Sequence, residues 1–80
     1  MKTFANVSNK TEYAQEIIEI LWIMQLSSER KGRQFVSVPL FRENVCSRLH
    51  LTRHQLSQIL NDLERKQLIF RSARGIRLVT

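Results

Sequence analysis

The chain contains a single cysteine, Cys46, among its 80 residues, so no internal disulfide can form. One unpaired thiol suits a reducing cytoplasm rather than an oxidising compartment. Long apolar runs are missing too. The longest, IEILWIMQL, is interrupted by Glu19 and is far too short to cross a membrane. The opening MKTFANVSNK lacks the apolar segment of a signal peptide. A soluble cytoplasmic protein with no membrane partner is expected. The sequence has no repeat, no low-complexity tract, no Gly-rich phosphate loop, no nucleophile elbow and no cluster of carboxylates. These absences argue against an enzyme and against a cofactor. Cys46, His50 and His54 share a spacing of four that would suit metal ligands on one continuous helix. A helix boundary between His50 and Thr52 turns them in different directions and a further ligand is lacking, so no metal is expected.

Acidic residues are scarce in the second part of the chain. Residues 1–29 hold Lys2 and Lys10 against Glu12, Glu16, Glu19 and Glu29, a net of −2. Residues 30–80 hold eleven Lys or Arg against Glu43, Asp62 and Glu64, a net of +8. Positive charge gathered in one part, mostly as arginine, favours a polyanionic partner. The length allows one modest core, and the apolar content of 42% is that of a folded chain.

Residues 1–10 read as a polar arm carrying Phe4 and Val7, ahead of a domain over 11–80. Thr11 is placed to cap a first helix from about Glu12 to about Leu26 or Ser28. Ala14, Ile17, Ile18, Leu21 and Met24 recur at three and four and form its inward stripe. Further apolar residues exceed what one stripe requires. Either the arm folds back, with Phe4 and Val7 over Ile20 and Ile23, or a second subunit covers them. The second reading is favoured, so Tyr13, Ile20, Trp22 and Ile23 are the expected homodimer interface.

After the charged connection ERKGRQ, with Gly32 as its turn residue, FVSVPL alternates like a short strand. Pro39 cannot donate to a ladder, which assigns that strand to a sheet edge. A second helix begins between Pro39 and Arg42 and ends near His50, with Phe41, Val45 and Leu49 inward. Pro39 also suits a first helical position. Thr52 and Gln55 then form a capping box, flanked by Leu51 and Leu56 as a hydrophobic staple. A third helix over 52–66 buries Leu56, Ile59, Leu60 and Leu63. LIFRSARGIRLVT reads as two strands turning around Ala73-Arg74-Gly75, where Gly75 is free to take positive φ.

Two helices joined by about three residues, the second strongly capped, describe a helix-turn-helix, and a C-terminal hairpin makes it winged. The fold class is α+β, mainly helical: three helices, a short edge strand and a hairpin wing. From Thr11 to Thr80 the chain resembles the DNA-binding domain of the catabolite activator protein family, the cyclic-AMP receptor and anaerobic-regulator group. The segment carrying the resemblance is LTRHQLSQILNDLERKQLI followed by RGIRLV. Thr52-Arg53 stands in the place of that family's Ser-Arg, and Leu56, Ile59, Leu60 and Leu63 match its core positions. Cys46 falls where the family has Ala or Gly. His54 and Gln58 stand where it often has Glu and Arg, so its shared target sequence is not implied. Gln67 stands where Gly or Asn commonly closes the helix, so either Gln67 is left-handed or the helix ends differently. The family's sensor domain and long dimerisation helix are not among these residues, so no small-molecule effector is expected.

The polar side of helix 52–66 is the candidate site. Its first turns suit the major groove: Arg53 to guanine, His54 to guanine or a thymine methyl, Gln58 to adenine, Ser57 to base or phosphate. A merely wet surface would carry Glu–Lys pairs at i,i+4 rather than His, Gln, Asn and Ser. Thr52, Asn61, Arg65 and Lys66 are expected on the DNA backbone, with Arg71, Arg74 and Arg77 of the wing, residues 69–79. Arg42 and Arg48 are weaker candidates. The expected function is sequence-specific binding of duplex DNA by a small homodimeric transcriptional regulator, repressing by occlusion. The alternatives are a winged-helix adaptor for an acidic protein surface and an architectural or recombination accessory factor.

Overall fold

A computed structural model of the chain describes the backbone of residues 2–79, with side chains described from Tyr13 to Val79. Three helices, α1 (Lys2–Arg30), α2 (Val38–Leu49) and α3 (Arg53–Arg65), precede an antiparallel hairpin of β1 (Ile69–Ser72) and β2 (Gly75–Leu78). The architecture is α+β and mainly helical. Among the described residues no helix is long and apolar enough to cross a membrane.

Helix α1 is longer than its apolar pattern indicates. It begins at Lys2, so the backbone of the expected arm is helical and Thr11 is an interior residue rather than a cap. A continuous helix cannot double back, and at about 1.5 Å per residue Phe4 lies roughly 24 Å along the axis from Ile20. The side chains of Phe4 and Val7 lie outside the described residues. At its C-terminus α1 closes on Gly32, whose φ of 80° lets Gly32 N–H reach Glu29 O and Arg33 N–H reach Ser28 O.

The core is assembled from one stripe of each helix. Ile17, Ile20 and Leu21 of α1 meet Phe41 and Val45 of α2, and Leu56, Ile59, Leu60 and Leu63 of α3. Leu51 closes the corner between α2 and α3, while Val36, Ile69 and Ile76 seal the hairpin side. Ile20, expected at a subunit interface, is therefore part of this domain's own core. At about 100° per residue it lies roughly 60° from Ile17, inside the width of a core-facing stripe. Tyr13 is half-buried against the same core.

The segment FVSVPL does not form a strand along its length. Only Val36 pairs, through Val36 N–H to Ile76 O at 2.8 Å and Ile76 N–H to Val36 O at 2.9 Å. Pro39 explains the truncation. Its missing N–H would break a ladder but falls among the free donors of a helix's first turn, and α2 starts one residue before it with Ser37 as N-cap. Helix α2 thus begins at Val38, earlier than the pattern indicated, and ends on His50 in the left-handed conformation.

Candidate nucleic-acid interface

Helix α3 is fixed at both ends. Gln55 N–H donates to Thr52 Oγ1 at 3.1 Å and Thr52 N–H donates to Gln55 Oε1 at 2.9 Å, so the capping box is complete. Leu51 and Leu56 are both buried beneath it, as a staple requires. At the far end Gln67 takes a φ of 63°, and Leu68 N–H closes on Leu63 O. With its apolar stripe buried, α3 turns Arg53, His54, Ser57, Gln58, Asn61 and Arg65 to solvent.

Two contacts organise that face. The Gln58 amide nitrogen lies 3.3 Å from His54 Nε2, one helical turn apart. The contact uses one ring nitrogen of His54 and one end of the Gln58 amide, leaving the other ring nitrogen and the other end of the amide for another molecule. Farther along, Arg71 of β1 reaches back to α3. Its Nη2 donates to Asn61 Oδ1 at 2.6 Å, and Nε and Nη2 both donate to Glu64 Oε1, at 3.1 and 2.5 Å. Arg71, expected on the DNA backbone, is thus engaged within the molecule as a strut between helix and hairpin. Asn61 keeps its amide N–H groups. Arg65 and Lys66 straddle Asp62 at 3.9 and 3.4 Å in exposed pairs that hold neither side chain firmly.

Arg42, a weaker candidate from sequence, borders α3 directly. With Arg53 it lines a shallow depression between α2 and α3 that also includes Glu43, Cys46 and Leu51. With Ser57 and Arg71 it lines a small cleft over Phe41 and Ile76. Arg42 therefore stands between Arg53 and the hairpin, with Glu43 beside it and Arg71 paired with Glu64. Sequence spacing carried no signal for this placement, because it depends on how α2 crosses α3.

In the hairpin, Ser72 is the register partner of Gly75, and Ala73 and Arg74 form the turn. Ser72 Oγ accepts from Arg74 N–H at 3.1 Å, which steadies the tip and leaves the Arg74 side chain exposed. Arg77 pairs across the strands with Phe70, and its guanidinium lies 5.9 Å from the centre of the Phe35 ring. The Phe35 and Phe70 rings are 6.1 Å apart. Phe35 was assigned only to a strand from sequence, yet it anchors the outer surface of the hairpin.

The expected interface residues divide. Tyr13 and Ile20 belong to the core side of α1, whereas Trp22 and Ile23 are 57% and 64% exposed. Trp22 joins Ile18 and Leu26 along one side of a groove of about 410 Å³, faced by Leu68, Leu78 and Val79. Gln25 stands in the same groove, its Oε1 accepting from Leu78 N–H at 2.7 Å and tying β2 to α1.

No family model, curated protein or solved structure matches the chain.

Proposed function

We propose that this chain is a winged helix-turn-helix protein that binds duplex DNA sequence-specifically, with α3 in the major groove and the hairpin as the wing on adjacent backbone. The observation that carries the reading is the exposed side of α3. It is capped and packed on one side, polar and unpaired with acids in its first two turns, and bordered by Arg42 and Arg53. A helix held at both ends presents its side chains at fixed positions, which groove recognition requires. The His54–Gln58 contact pre-sets two of them.

In this reading Arg53, His54, Ser57 and Gln58 meet base edges. The Thr52 hydroxyl accepts within the capping box and keeps its proton to donate to a phosphate. Arg42, Arg65, Lys66, Arg74 and Arg77 supply positive charge to the backbone, and Asn61 offers its amide N–H groups. Arg71 acts indirectly, by holding the wing against α3. The resemblance to the catabolite activator protein family agrees with this arrangement. Regulation of transcription, by occlusion of a promoter, is the purpose we assign.

Selection from a pool of random duplexes is the direct test. The expected result is an enriched sequence whose binding weakens steeply with salt, and a changed preference for Gln58→Ala. Binding that is independent of sequence, or equal weakening by Gln58→Ala on every duplex, would remove base readout. An absence of salt-dependent duplex binding would favour the adaptor reading, in which the basic face docks on an acidic protein surface.

A further inference from the structure

A second cationic surface lies away from α3. The turn that ends α1 and the tip of the hairpin together enclose a groove of about 410 Å³ lined by Gly32, Arg33, Gln34, Phe35 and Arg74. Backbone contacts hold the two turns side by side. Val36 and Ile76 exchange two hydrogen bonds, and a Cβ on Gly75 would stand only 2.3 Å from Val36 O. The Schellman closure on Gly32 fixes the other wall, since Arg33 N–H bonds Ser28 O at 2.9 Å. The groove is thus bounded by two rigid turns.

Its chemistry is that of an anion seat with an apolar floor. Arg33 and Arg74 are exposed, and among the described residues neither has an acidic partner. Phe35 supplies the floor and is backed by Phe70 and by the Arg77 guanidinium. Two arginines from different turns, sharing a groove with an aromatic ring, match the phosphates and a sugar along one nucleic-acid strand.

We propose that this groove seats the sugar–phosphate backbone of DNA flanking the step read by α3, with Arg33 and Arg74 on successive phosphates and Phe35 against the intervening deoxyribose. The inference rests on the duplex-binding reading above and extends the contact beyond the hairpin to the α1–α2 turn. It makes Arg33 a DNA-binding residue that sets affinity and footprint length without reading sequence.

The test measures binding of the full chain to its selected duplex and to a scrambled one across a salt series. Arg33→Ala is expected to weaken both about equally, by roughly three- to tenfold, and to lower the slope of log affinity against log salt by about one. Arg33→Lys should restore most of the slope, because the charge returns. Trimming the duplex should cost wild type affinity at a flank length where Arg33→Ala, Arg74→Ala is indifferent. Unchanged affinity, slope and length dependence in Arg33→Ala would overturn the inference while leaving α3 readout intact. Failure of wild type to bind any duplex would instead overturn both.

Discussion

Gly75 occupies a position where no side chain fits. Its φ is 141°, a conformation that L residues rarely adopt, and the space a Cβ would need is filled by the carbonyl oxygen of Val36. That oxygen cannot retreat, because it accepts from Ile76 N–H at 2.9 Å and so holds the only pair joining the α1–α2 connection to the hairpin among the described residues. Gly75→Ala is therefore expected to lose about 2 kcal/mol or more, from backbone strain and the broken pair together. Urea unfolding measures it, and a midpoint within error of wild type would contradict the geometry. By contrast Gly32, with φ 80°, has nothing within 4 Å of the position a Cβ would take, so its requirement is conformational alone. Arg71 illustrates a different constraint. Its bonds to Asn61 and Glu64 join groups that are ten and seven residues apart, and they orient the hairpin relative to α3. Its charge is largely answered by Glu64, so it adds little to the long-range field.

Helix α3 shows how local chemistry specifies an element. Thr52→Ala removes the acceptor for Gln55 N–H and should cost about 1 kcal/mol, whereas Thr52→Ser should be nearly neutral. Thermal or urea unfolding separates the two, and equal stability of all three proteins would deny the cap its role. The capping box, the staple and the buried stripe of α3 were legible because each is set by spacings of five residues or fewer along the chain. The hairpin was legible for the same reason, through Gly75 and its flanking turn. What could not be read depends on non-local choices. FVSVPL has the alternation of a strand, but Pro39 also satisfies a helix start, and α2 took it. In α1 the pattern fits more than one stripe, and only the packing of α2 and α3 selects Ile17, Ile20 and Leu21 over a set that leaves Ile20 outside. The same limit left Arg42 a weaker candidate and kept Phe35 out of the candidate site, since their neighbours come from other elements.

The molecule measures 45 × 24 × 19 Å, so α1, at roughly 43 Å, accounts for its long dimension. That helix carries Trp22, Ile23 and Leu26 at the surface, and Leu68 and Val79 continue the apolar strip across the groove. The groove shares no residue with the polar side of α3 or with the basic turn at Arg33, so a partner seated there leaves both surfaces free. A module of this size buries little DNA surface, and pairing two copies on two half-sites is the direct way to gain specificity. The homodimer is a proposal; with Tyr13 and Ile20 on the core side of α1, it puts the second copy on the Trp22–Leu26 groove. Trp22→Glu should then shift the sedimentation coefficient from dimer to monomer and weaken binding to a paired site far more than to a single half-site. The buried core omits Trp22, so the variant should keep its fold, verifiable by circular dichroism. A wild-type chain that sediments as a monomer at tens of micromolar, free and on a paired site alike, would reject the dimer and return the groove to a partner of another kind.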